Sequence, residues 1–197
     1  MLKVTNVETF NIQGALRGMR NPMNSWDKSD STDGVIGAND LKLARALFNA
    51  GASHRKFMRQ IFICCDITAP LYWWKEFDTY KVGTVSNSCS TMHKLHSRDL
   101  VLDDFSHEYL NNGALLALKD TISVINALRA DFIITKDKST WYQMIQLLPT
   151  SYNQLRTITM SFENIANIID QRSNHKIDEW HTLCDFLKEN TFLKNLI

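Results

Sequence analysis

Seven glycines and three prolines in 197 residues leave this chain too little turn punctuation for an all-β sandwich or barrel, whose strands reverse about every ten residues. Helix must therefore dominate. Hydrophobic residues at 44% and charged residues at 22% match a globular composition, so the chain can bury a core and is neither disordered nor fibrous. Its length fits one domain over residues 1–197. Lys plus Arg number 22 against 21 Asp plus Glu, a net of +1, so no global field draws the protein onto nucleic acid or acidic lipid. Any anion site has to be local.

Met1-Leu2-Lys3-Val4-Thr5-Asn6 has no basic stretch followed by an apolar one, and the expectation is a chain without a secretory leader. Apolar runs such as Ile61-Phe62-Ile63-Cys64-Cys65 are far shorter than the ~20 residues that cross a bilayer, so no membrane partner is expected. The four cysteines form no Cys-x-x-Cys pair, and Cys64 and Cys65 would point to opposite faces of a strand. Free thiols in a reducing, cytoplasmic compartment are the expectation.

Residues 2–12 alternate around Val4, Val7 and Phe10 and read as a strand. Residues 13–37, rich in Gly, Asn, Ser and Asp, read as a long loop of the kind used as a binding or lid element. Asn39 is positioned to cap a helix through Leu41, Leu43, Ala44, Leu47 and Phe48, which Gly51 can end. Residues 57–68, β-branched and apolar at Ile61, Phe62, Ile63 and Ile67, read as a buried strand, with helix the alternative that periodicity leaves open. Pro70 opens a helix over 70–81 with Trp73, Phe77 and Tyr80 on one face. After Gly113 comes a long helix through Leu115, Leu118, Ile122, Ile125 and Leu128, then a helix over 141–148 that Pro149 stops. A strand over 155–160 feeds Ser161, the cap of a helix over 162–171, and a last helix covers 176–188. This order predicts a mixed α/β or α+β fold with long helices in the C-terminal half.

Several groups carry chemistry. His54-Arg55-Lys56 with Arg59 is the densest positive cluster, either a local anion site or a solvated turn. Gly83-Thr84-Val85-Ser86-Asn87-Ser88-Cys89-Ser90-Thr91 reads as a small-residue loop whose amides and hydroxyls suit a phosphate or planar ring, although it lacks the P-loop spacing. The alternative is a tight connection between helices. Tyr72, Trp73, Trp74, Phe77 and Tyr80 could stack a flavin or a base, and the favoured reading is a subunit interface. His93 and His96 with His107 or Cys89 match no zinc signature, so no metal is expected. No Gly-x-Ser-x-Gly elbow marks a serine hydrolase.

Two segments, read together, resemble the flavin-dependent thymidylate synthases, the ThyX family. The first runs from Asp40-Leu41-Lys42-Leu43-Ala44 to Gly51, through Phe57-Met58-Arg59-Gln60-Ile61, to Ala69-Pro70-Leu71-Tyr72-Trp73-Trp74-Lys75-Glu76-Phe77-Asp78-Thr79-Tyr80-Lys81. It follows the family's order of helix, Glu-His strand, and a helix opening small-Pro-apolar-aromatic that runs into Arg-His-Arg. The second is Leu148-Pro149 followed by Asn167 and Arg172, similar to the family's Leu-Pro, strand, and helix with Asn and a terminal Arg. Order and spacing carry the resemblance over about two thirds of the chain.

The resemblance implies a central, mostly antiparallel sheet flanked by helices, a homotetramer with FAD at subunit junctions, and a pyrimidine deoxynucleotide of the dUMP type as substrate. It places the uracil contact and the catalytic role on Arg172, flavin contacts on Tyr80, Lys81 and Asn167, and substrate contacts on Glu76, Ser88, Cys89, Ser90 and Arg172. NADPH and methylenetetrahydrofolate would take part only if the family's methyl and hydride transfer is retained. The chain departs from the pattern at Thr79-Tyr80-Lys81, which stand at Arg-His-Arg, at Cys89 in the serine position, and at Arg59-Gln60 in place of Glu-His. Thr91 and Ile145 stand where the family has phosphate-binding arginines. Each charge-assisted bond to a phosphate contributes roughly 1.5–3 kcal/mol, so two losses weaken binding about 10²- to 10⁴-fold. By sequence, the cations available as substitutes are Arg59, Lys75, Lys94 and Arg98. The resemblance therefore leaves two functions open: a flavin-dependent thymidylate synthase-like enzyme, or a scaffold of that fold that binds a nucleotide or partner protein without turnover.

Overall fold

The computed structural model describes residues 2–32 and 34–196. Along the chain run strand β1 (Lys3–Phe10), helices α1 (Ile12–Met19) and α2 (Ala38–Asn49), β2 (Phe62–Pro70), α3 (Leu71–Phe77), β3 (Thr84–Ser88), α4 (Thr91–Lys94), α5 (Asn112–Thr135), α6 (Lys138–Leu147), β4 (Asn153–Ser161), α7 (Phe162–Arg172) and α8 (Asp178–Asn190). The class is mixed α/β, with a four-stranded antiparallel sheet in the order β1-β2-β4-β3. No helix among the described residues is long and apolar enough to cross a membrane.

Residues 13–37 are not a long loop. Ile12, Ala15, Leu16 and Met19 form an i, i+3, i+4 stripe, and the last three are buried on α1. Gly14 and Gly18 masked that periodicity in the sequence. Two short 3₁₀ turns, Asn21–Met23 and Trp26–Lys28, follow. The rest of the segment is tied down by Asp40, fully buried, whose carboxylate accepts from Arg20 Nε at 2.5 Å, Ser29 Oγ at 2.9 Å and the Ser31 amide at 3.0 Å. Burial alone would raise the Asp40 pKa, yet the bonds from Ser31, Arg20 and Ser29 outweigh it and hold the carboxyl at about 2. A segment pinned this way is a structural clasp, and Asp33 within it lies outside the described residues.

The cap of α2 also differs from expectation. Gly37 occupies the N-cap position, and the free amides of Asn39 and Asp40 are taken by the carboxylate of Asp30, at 2.9 and 3.0 Å. Asn39 lies inside the first turn instead. Residues 56–59 form a 3₁₀ turn rather than the start of β2, and α3 stops at Phe77, so Tyr80 lies beyond the helix. Gly83–Thr91 is likewise not a loop between helices: most of it is strand β3 at the sheet edge.

The chain divides into two compact units. The first comprises residues 2 and 3, Ile67–Thr79 and Asn87–Arg156. Its core joins Leu118, Ile122 and Ile125 of α5 to Met144 of α6, Leu95, Leu100 and Phe105. Trp73, Trp74 and Phe77 on α3 are buried within this single chain and pack ring against ring, with centroids 4.8 to 5.4 Å apart. They are core, which corrects the subunit-interface reading, because stacking them locally hides more apolar area than a solvent-facing stripe could.

The second unit comprises Val4–Asp66, Tyr80–Ser86 and residues 157–196. Its core includes Ile61, Ile63, Phe162, Ile165, Ile168, Trp180, Leu183 and Leu187, all fully buried. Helix α7 starts where expected, with Ser161 Oγ accepting from the Asn164 amide. Cys65 faces the core, which pushes its thiol up to about 12 through burial, while Cys64 is half-exposed on the other face of β2.

Candidate functional site

In the second unit, the stretch Tyr80–Ser86 is stitched to α7 before any function is considered. Asn164 Nδ2 donates to the Val82 carbonyl and, at 2.9 Å, to Thr84 Oγ1. Gly83 makes the turn at φ 68°, a left-handed conformation that costs a side chain more than it costs glycine. This stitching brings Tyr80 to the end of α7. Arg172 Nε donates to the Tyr80 hydroxyl at 2.8 Å, and that hydroxyl donates to Gln171 Oε1 at 3.0 Å. The guanidinium lies 4.9 Å above the ring of buried Trp180, with His175 edge-on to the same ring. A planar cation is thereby held in one orientation, suited to the carbonyl edge of a pyrimidine or to an anion. Trp180 falls in the helix expected over 176–188 but was not singled out, because the family resemblance ends at Arg172; its i, i+3 partner Leu183 marks the stripe that would have placed it in the core.

Asn167 and Arg172 share α7 but take different partners. Asn167 Oδ1 accepts from Arg55 Nη2 at 3.2 Å, and Arg55 forms a bidentate pair with Glu163 at 3.0 and 3.1 Å. Arg55 is thus drawn out of the cationic cluster into a largely buried ion pair above Phe48. His54, Lys56 and Arg59 remain and border a cleft of about 610 Å³ whose apolar side includes Met19, Leu43 and Phe57. Lys81 is exposed beside Tyr80.

Glu76, Ser88, Cys89 and Ser90 lie in the first unit. Ser90 Oγ accepts from the His93 amide and serves as the cap of α4. The Cys89 amide donates to the Leu155 carbonyl at 2.9 Å, and the Cys89 carbonyl accepts from Gln154 Nε2 at 2.8 Å. Among the substitute cations, Arg98 is engaged by both carboxylate oxygens of Asp104, and Arg59 donates to the Ala52 carbonyl. The cation that actually sits in this hydrogen-bonded group is Arg156, which donates to Gln154 Oε1 at 2.9 Å. Sequence reasoning passed over it because one arginine in a strand carries no motif.

No protein-family model matches the chain, and no curated protein matches it in sequence. Solved structures do. It is similar to thymidylate synthase X (ThyX) from Helicobacter pylori with FAD and dUMP, with a TM-score of 0.73 and 16% identity over 100% of this chain and 96% of that one. A second structure of Helicobacter pylori ThyX complexed with FAD and dUMP gives 0.70 and 17% over 98% and 96%. The UMP/dUMP methylase PolB from Streptomyces cacaoi bound with 5-Br dUMP gives 0.64 and 11% over 95% and 88%. At these identities the likeness establishes architecture, and the chain has the fold of the flavin-dependent thymidylate synthases along its whole length.

Proposed function

We propose that this protein binds a pyrimidine deoxynucleotide of the dUMP type, with Arg172 contacting the base, and that FAD is its cofactor. The observation that carries this reading is Arg172 itself: the guanidinium is fixed by the Tyr80 hydroxyl and laid on Trp180 at the position where the resemblance requires the uracil contact. An arginine ordered in advance loses less entropy on binding than a free one, so its hydrogen bonds contribute more of their strength to affinity. Glu76, Ser88, Cys89 and Ser90 complete the proposed substrate set, and the oligomeric state proposed is the homotetramer.

The residues present suit FAD in chemical type. The cleft beside His54, Lys56 and Arg59 combines an apolar wall with a cationic rim, which matches a flat ring system carrying phosphates. Tyr80, Lys81 and Asn167 are the further proposed flavin contacts. When bound, FAD supplies hydride chemistry; the chain's own part is to position rings and neutralise charge. Purified protein scanned from the near ultraviolet to the blue, with FAD added at micromolar levels, is expected to show a bound-flavin spectrum, and dUMP is expected to perturb it. A colourless protein that takes up no flavin would refute the cofactor assignment.

A second reading is favoured by the departures at Thr79-Tyr80-Lys81, Thr91 and Ile145: a scaffold that binds the nucleotide without turning it over. Growth of a thymidine-requiring strain on this chain without thymidine separates the two, since only an enzyme supports it.

A further inference from the structure

We infer that Arg156 is the residue that takes the nucleotide's phosphate, in place of the two arginines missing at Thr91 and Ile145; the inference rests on the nucleotide reading above. Three contacts hold Arg156 still. Its guanidinium lies 4.3 Å above the ring of buried Trp74, Nε donates to Gln154 Oε1 at 2.9 Å, and Nη1 donates to Asp78 Oδ1 at 2.7 Å. Gln154 is fixed in turn, because its Nε2 donates to the Cys89 carbonyl at 2.8 Å. One amide side chain therefore links the guanidinium to the backbone of Cys89, the residue at the family's serine position.

Strand register places a hydroxyl beside it. The Cys89 amide to Leu155 carbonyl bond puts those two residues opposite one another, so Ser88 stands opposite Arg156 with its side chain on the same face of the sheet. Ser88 is exposed. Arg156 Nη2 makes no hydrogen bond among the described residues and is not wholly occluded, although the side chain as a whole is only 14% exposed. Asp78, 51% exposed, is a carboxylate that an incoming phosphate can displace by rotation into water. A guanidinium whose Nε is fixed by Gln154, whose Nη2 is unengaged and whose Nη1 is released once Asp78 swings into water is a preorganised anion receptor. Gln154 is a positioning residue for it.

The test compares dUMP with deoxyuridine, which lacks the phosphate, by calorimetry on the full chain. The wild type is expected to prefer dUMP, and Arg156→Gln to lower dUMP affinity about 10- to 100-fold while leaving deoxyuridine unchanged. Asp78→Asn removes only the exposed competitor, keeps the core intact, and should raise dUMP affinity about two- to five-fold; it carries the test if Arg156→Gln does not fold. Inorganic phosphate should compete with dUMP on the wild type and not on Arg156→Gln. If the wild type binds dUMP and deoxyuridine equally, or a folded Arg156→Gln keeps the preference, the phosphate assignment is overturned and the base contact at Arg172 stands. If the wild type binds neither, the nucleotide reading falls and takes this inference with it.

Discussion

Arg156 and Arg172 are both laid on a buried tryptophan, at 4.3 Å over Trp74 and 4.9 Å over Trp180, yet they are held by different kinds of backbone. Arg172 ends a helix, and its Nε is caught by the hydroxyl of Tyr80, ninety-two positions earlier in the chain. Arg156 sits within a strand, and its Nε is caught by Gln154 two residues away on the same face. Orienting a guanidinium thus takes an aromatic floor and one acceptor for Nε, and a fold can supply the acceptor either locally or from a distant turn. The local solution depends on strand register. The distant one depends on the Asn164 bonds that stitch residues 82–84 to α7.

The largest effect should come from the floors. Trp180→Ala and Trp74→Ala each remove a fully packed ring, and denaturant unfolding is expected to show losses of about 3–5 kcal/mol apiece. Unequal losses would reveal which arginine depends more on its tryptophan. A third arginine sharpens the contrast, for Arg20 is held by a carboxylate instead of an aromatic ring and is almost wholly buried with Asp40. Asp40 has its carboxyl lowered from 3.8 to about 2. A depressed pKa stabilises the fold above the unfolded value and is lost as pH falls, so about 2 kcal/mol should disappear between pH ~4 and ~2. Asp40→Asn should be less stable at neutral pH and lack that component of the acid transition, as followed by circular dichroism.

Tyr80→Phe removes the hydroxyl that links Arg172 to Gln171 and should lower stability by about 1 kcal/mol. It should also weaken deoxyuridine and dUMP by the same factor, whereas Arg156→Gln affects dUMP alone. Equal losses for the two ligands in both variants would mean that the arginines do not divide base from phosphate. The smallest effect is on Asp78→Asn, where thermal unfolding should shift by no more than about 1 kcal/mol because the pair is solvent-exposed on the carboxylate side.

Elements with strong periodicity were legible in the sequence. The strand from residue 3, the long helix α5, Ser161 as the cap of α7, and α8 all stand within a few residues of expectation. Helix α1 was hidden because two glycines interrupt the composition while leaving its buried stripe intact. The cap of α2 was misread because the acceptor comes from Asp30, and no local rule anticipates an oxygen from nine residues upstream. At the candidate site, Arg172 and Tyr80 were named from sequence and are hydrogen-bonded to each other. Arg156 and Trp180 were not, since their significance lies in which ring or amide they meet.

By itself the sequence determined the class of fold, the order of its elements and the scarcity of net charge, because periodicity, caps and composition act through near neighbours along the chain. Only the tertiary structure decided which cations lie on a tryptophan, as Arg156 and Arg172 do, and which are paired with a carboxylate away from one, as Arg55 and Arg98 are. Pairing of charges follows distance in space and the burial around each group, and neither quantity is written in the spacing of residues along a chain.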